Sequence, residues 1–191
     1  MATGSADYKI IFVHGYTASA TDNWYPAISK ELRELGVDFE IPNLPGGDYP
    51  HAEQWLEKLH SVVSQSKKPV VLVGHSLGTR TILLYLERYQ IPVKAVFLIA
   101  AFSNRLENAR KYDGDGYPDF FEHVVSIEKV KPLIEKTVVV HSRDDELDYE
   151  QAVEIAHQLE AKMIPFDDRG HFSDPENAPY ILKILREELG F

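Results

Sequence analysis

Short apolar runs alternate with longer amphipathic ones along this chain, and the alternation predicts its architecture. The apolar runs fall at Lys9–His14 (KIIFVH), Val37–Ile41 (VDFEI), Val70–Gly74 (VVLVG), Ala95–Ala100 (AVFLIA), Thr137–His141 (TVVVH) and Lys162–Phe166 (KMIPF). Most are rich in Val, Ile and Phe with few polar positions between, the pattern of strands buried on both faces. The last contains Pro165, which has no N–H to give a ladder and therefore suits an edge strand or a strand end. Between the runs, apolar residues recur at helical spacing over Asp22–Leu35, Ala52–Ser64, Leu77–Tyr89, Gln151–Glu160 and Ala178–Glu188. Gly36 stands where a helix C-cap glycine belongs, and Pro175, Pro179 and the acids around them mark the start of the last helix.

Strand and helix in regular turn imply parallel strands joined by right-handed crossovers, hence a three-layer α/β domain. One domain accounts for all 191 residues, with Met1–Ala6 read as a loose tail. The irregular stretch is Phe102–Lys136, which holds Tyr112-Asp113-Gly114-Asp115-Gly116-Tyr117-Pro118 and then Phe120 and Phe121. A connection of that length carries some helix of its own and is placed to roof a site.

Composition narrows the function classes. Hydrophobic residues make up 44% and charged residues 26%, the balance of an ordinary globular protein. The formal net charge of −10 with no basic stripe argues against nucleic-acid binding. No apolar stretch reaches the roughly 20 residues that span a bilayer, and the opening MATGSADY lacks a signal-peptide core, so the expected location is cytoplasmic with no membrane attachment. The absence of cysteine excludes disulfides, thiolate metal sites and cysteine nucleophiles.

Gly74-His75-Ser76-Leu77-Gly78 then changes the picture. It fits G-x-S-x-G, and it follows an apolar strand and opens a helical pattern, the strand–turn–helix setting of a nucleophile elbow. A serine at the tip of so tight a turn takes a strained backbone, tolerable only where neighbouring side chains are tiny, which is the work of Gly74 and Gly78. Its hydroxyl then projects at the positive end of the following helix, where the Leu77 amide can donate to an oxyanion. The plainer alternative is a turn whose serine caps a helix.

A serine nucleophile needs a base of near-neutral pKa, that is, histidine. Of the eight histidines, His51, His60, His123 and His157 lie in helical or loop stretches away from strand ends. His75 sits inside the elbow and is read as pointing away from the nucleophile, His141 ends a strand beside acids, and His14 belongs to the loop after the first strand. His171 remains, in Asp168-Arg169-Gly170-His171-Phe172 between the last strand and the last helix. An acid must hold its tautomer, and His141-Ser142-Arg143-Asp144-Asp145 supplies two. The chain order of serine, acid and histidine is that of the α/β-hydrolase triad. If the first strand lies between the second and third, the sheet order is 2-1-3-4-5-6 and a crevice opens between strands 1 and 3, where open α/β sheets bind ligands.

The combination resembles the RBBP9/YdeN-like small serine hydrolases. The resemblance rests on His14-Gly15-Tyr16 with Ala18-Ser19 and Trp24 beyond it, Gly-His-Ser-Leu-Gly at the elbow, Ser-Arg-Asp-Asp after the fifth strand, and Gly170-His171-Phe172. It runs from about Lys9 to Leu189 and matches a minimal member without a separate cap domain. It implies an α/β-hydrolase fold and a cofactor-free hydrolase of small carboxylic esters. By resemblance to the family pattern the acid is Asp145, four residues past the strand and shortly before Leu147, although Glu146 stands where the family often has proline. Asp144 is then a turn residue. The Tyr16 amide becomes the second oxyanion donor beside that of Leu77, leaving the Tyr16 side chain to line the pocket or to pack. Thioesterase or peptidase action on the same residues, and a noncatalytic interaction module of the same fold, are the alternatives.

Two other features carry less. Asp113, Asp115 and Asp119 in DGDGYPD have calcium-loop spacing, but Pro118 takes the glycine position and Val124 the position of the bidentate glutamate, so no metal is expected. Leu44-Pro45-Gly46-Gly47-Asp48 lacks the Lys-Ser/Thr of a phosphate loop and reads as a pocket rim. Trp24 and Trp55 read as packing residues, Trp24 being placed to touch the site.

Overall fold

The computed structural model describes residues 7–102 and 118–191. Six strands, β1 (Lys9–Val13), β2 (Phe39–Glu40), β3 (Val70–His75), β4 (Ala95–Ile99), β5 (Thr137–Ser142) and β6 (Lys162–Phe166), form one sheet. Every neighbouring pair is parallel, as the alternating pattern implies, and the order is β2-β1-β3-β4-β5-β6. The order reverses between β1 and β3, the switch point at which open α/β sheets bind ligands.

Strand alternation divides the core in two. Ile10, Phe12, Val71, Val73, Phe97, Ile99, Val138 and Val140 pack on one face against helices α1 (Tyr25–Glu34) and α6 (Ala178–Leu189). Ile11, Val13, Leu72, Val96, Leu98 and Val139 face the other way, toward α2 (Ala52–Val63), α3 (Leu77–Tyr89) and α5 (Tyr149–Gln158). Both faces of the central strands are therefore apolar, which is why those runs carry no polar alternation. Among the described residues no helix is long and apolar enough to cross a membrane.

Several boundaries differ from the sequence expectation, each for a local reason. The second strand shrinks to two residues paired with Ile10 and Ile11. The Val37 amide is spent closing α1 on the Leu32 carbonyl, and Pro42 beyond the strand has no N–H to offer. Helix α1 begins at Tyr25 instead of Asp22 because Asn23 takes a left-handed φ of 50°, after which Pro26 sits in the first turn. Helix α5 begins two residues early because the Asp148 carboxylate caps it, accepting from the Glu150 amide at 3.1 Å. Pro165 does lie in an edge strand.

The connection after β4 carries the short helix α4 (Ile127–Val130), flanked by 3₁₀ turns at Pro118–Phe121 and Lys131–Leu133. Asp113 and Asp115 of the calcium-like spacing, and the tail Met1–Ala6, lie outside the described residues. The Asp119 carboxylate accepts from the Ala52 amide at 2.9 Å and so caps the start of α2.

Candidate active site

Ser76 joins β3 to α3 with φ 53° and ψ −123°, a backbone well outside the regions open to most L-residues. The strain is held by its surroundings. The Ser76 amide donates to the Ile99 carbonyl of β4 at 2.9 Å, and the Thr79 amide and hydroxyl both return to the Ser76 carbonyl, at 2.8 and 2.7 Å. A methyl on Gly78 would come within 2.0 Å of the Val13 carbonyl oxygen, and one on Gly74 within 2.8 Å of the Thr79 nitrogen. Here the two glycines are a steric requirement: strand and helix cross too closely for any side chain. Leu77 opens α3 directly after Ser76, so its amide is one of those a helix leaves without an internal partner.

The loop between β6 and α6 brings His171 to this serine. The imidazole Nε2 lies 2.9 Å from the Ser76 hydroxyl, and Nδ1 lies 3.0 Å from each carboxylate oxygen of Asp145. A carboxylate only accepts, so Nδ1 carries the proton and Nε2 presents its lone pair to the serine O–H. The Asp145 side chain is completely buried while that of His171 is one-fifth exposed. The Leu147 amide also donates to Asp145, at 2.9 Å, and the buried His141 brings its Nε2 to 3.6 Å from the same carboxylate. Burial pushes the pKa of His141 below its usual value, so this second imidazole stays neutral.

Asp144 has a different task. It accepts from the Ser142 hydroxyl at 2.5 Å and from the Gly170 amide at 2.9 Å, while the Ser142 oxygen accepts from the Arg169 amide at 3.0 Å. Those hydrogen bonds, the Ser142 hydroxyl first, hold its carboxyl below the ordinary range. Asp144 is thus more than the turn residue that the sequence suggests: it ties the β5 loop to the loop bearing His171.

The first strand delivers Gly15 against the elbow, where a methyl would approach the Ser76 Cβ to 3.0 Å. That close approach sets the main chain of residues 15 and 16 beside the serine. The Tyr16 hydroxyl donates to the Asp48 carbonyl at 2.8 Å, so its ring ties the Leu44–Asp48 rim to the β1 loop. His14 is buried and built into the loop, donating from Nδ1 to the Gly15 carbonyl and accepting at Nε2 from the Leu44 amide, at 2.9 and 3.0 Å. Burial is the main cause of its lowered pKa.

Trp24, which the sequence places near the site, and His75 both reach the His171 loop. His75 approaches the His171 carbonyl at 2.8 Å through Nε2, and Trp24 donates its indole N–H to the Phe172 carbonyl at 2.9 Å. The His75 ring lies beside that of His171, with centroids 5.2 Å apart. The signal was present in the strand's period, since Val71, Val73 and His75 share the sheet face on which α1 and α6 pack.

The sheet order, the strained serine after β3 and the loops gathered at the strands' carboxyl ends define an α/β-hydrolase fold. Mouse alpha/beta hydrolase domain-containing protein 10 has the same fold, with a TM-score of 0.77 at 17% identity over 95% of this chain and 89% of that one. The chain belongs to the serine hydrolase family, whose pattern matches residues 10–178. It is 30% identical to the YdeN protein of Bacillus subtilis, over 93% of this chain and 94% of the relative. The YdeN crystal structure superimposes with a TM-score of 0.84, covering 96% of this chain and all of that one at 26% identity. It is likewise 30% identical to serine hydrolase RBBP9 of Rattus norvegicus, over 82% of each.

Proposed function

We propose that this chain hydrolyses small carboxylic esters through Ser76, His171 and Asp145. The observation that carries the reading is the unbroken line from the Ser76 hydroxyl through His171 to a fully buried carboxylate, with separations of 2.9 and 3.0 Å. In the first step Ser76 Oγ bonds to the ester carbonyl carbon, its proton passes to His171 Nε2, and the carbonyl electron pair moves onto oxygen. The amides of Leu77 and Tyr16 are assigned to that oxyanion. Collapse breaks the carbon–alkoxy bond, and His171 returns its proton to the departing alcohol. Water then attacks the acyl-enzyme, with His171 again taking and returning a proton, and the carboxylic acid leaves. Asp145 holds Nδ1–H in place and stabilises the imidazolium; no cofactor takes part.

Ser76→Ala is expected to lower kcat on p-nitrophenyl acetate by on the order of 10⁶ with unchanged circular dichroism, the loss seen when a triad serine is removed. A fluorophosphonate probe is expected to label Ser76, mapped by mass spectrometry. A variant keeping most of its turnover, or a parent that resists the probe, would reject the assignment and favour a noncatalytic module. A panel of esters, thioesters and amides of graded acyl length then separates esterase from thioesterase or peptidase.

A further inference from the structure

The loop that carries His171 is short, and two of its residues sit in left-handed backbone: Gly170 at φ 52° and Phe172 at φ 55°. Phenylalanine pays for that conformation with strain, so something must hold the loop there. Four consecutive residues each have one main-chain group bound by a side chain from elsewhere in the fold. The amides of Arg169 and Gly170 go to Ser142 and Asp144, and the carbonyls of His171 and Phe172 go to His75 and Trp24.

His75 stands out among these partners because it is adjacent to Ser76 in the chain. A carbonyl can only accept, so His75 carries its proton on Nε2 and donates to the His171 carbonyl at 2.8 Å. Among the described residues its Nδ1 has no hydrogen-bond partner. The ring is buried against Trp24, with centroids 6.0 Å apart. Burial first, and the neighbouring His171 second, press its pKa down to about 3, so the donor stays neutral and keeps this tautomer across the working range. A charged neighbour there would oppose the imidazolium that His171 becomes in turnover.

We propose that His75 is a positioning residue for the base: rigidly joined to the nucleophile by one peptide bond, it carries the main chain of His171 on its N–H and thereby sets the separation of the two reacting groups, with Trp24 as the second bearing one residue further on. The proposal rests on the reading of Ser76 and His171 as nucleophile and base. It gives the signature tryptophan of the first loop a task, because the indole N–H of Trp24 spans 148 positions of sequence to reach this loop. The nucleophile and base thus share a support, and a displacement of the elbow carries the base with it.

The test compares His75→Leu, which fills the space without a donor, with His75→Gln, which keeps an N–H near the Nε2 position, and with Trp24→Phe, which removes only the indole donor. Three readouts are taken: p-nitrophenyl acetate kinetics, fluorophosphonate labelling, and the low-field proton resonance of the His171 Nδ1–H. His75→Leu is expected to lose about 100-fold in kcat, the cost of a base displaced by about 1 Å, with KM within about two-fold. The same variant is expected to lose or broaden the resonance. His75→Gln is expected to recover about ten-fold of that loss and the resonance with it, and Trp24→Phe to lose about ten-fold in kcat. Kinetics and resonance both intact in His75→Leu would overturn the proposal, and so would a His75→Gln variant no better than His75→Leu, which would assign the effect to ring packing. A parent that neither turns over the ester nor takes the probe rejects the catalytic reading alone; the resonance then decides the positioning claim, its loss in His75→Leu supporting it and its retention overturning it.

Discussion

The serine and the histidine of this site are placed by opposite means. Ser76 is fixed by main chain: a strand and a helix cross so tightly that Gly74 and Gly78 leave no room for a side chain, and the strained turn is bound to β4 by its own amide. His171 rides on a loop whose backbone is held by side chains of Trp24, His75, Ser142 and Asp144, from three separate parts of the sequence. A steric arrangement fails all at once when it is disturbed. An arrangement of several hydrogen bonds loses one support at a time, each net contribution being about 1 kcal/mol.

That contrast can be broken or sharpened by substitution, beginning with the largest effect. Asp145→Asn is expected to lower kcat about 10⁴-fold, because an amide N–H facing Nδ1 forces the proton onto Nε2, where it cannot accept from serine. Steady-state kinetics with unchanged thermal melting would check it. Gly78→Ala is expected to destabilise the protein by about 3 kcal/mol or more, since the new methyl meets backbone oxygens of β1 and its loop that cannot swing away. Urea denaturation measures this, and a variant of parental stability would show that the crossing is looser than described. Asp144→Ala is expected to cost about ten-fold in kcat with little change in thermal melting, one exposed support among four. A loss as large as that of Asp145→Asn would exchange the roles of the two acids.

The same contrast explains what could be read from the sequence. The elbow announces itself because its constraint is local: two glycines, a serine, an apolar run before and a helical pattern after. The parallel sheet was legible for a similar reason, since strand–helix alternation with right-handed crossovers requires it, whereas the strand order needed the further assumption that β1 lies between β2 and β3. The two-residue β2 was not legible, because its length depends on where the Val37 amide is spent. The supports of His171 were hidden more deeply. Trp24 precedes its partner Phe172 by 148 residues and Asp144 precedes Gly170 by 26, and no local pattern links such pairs. His75 is legible only through its parity with Val71 and Val73, which places it on the face where the last loop lands.

One feature of the sheet reaches beyond catalysis. Its two outer strands are poor templates: β2 offers two residues before Pro42, and β6 carries Pro165, whose neighbour Phe166 turns its carbonyl inward to the Arg143 amide. Main-chain groups alternate in direction along a strand, so the proline falls on the outward side and deletes a donor from the open rim. A crowded solution of this protein accordingly lacks the continuous docking strip from which fibrils grow, and a Pro165→Val substitution would restore part of it.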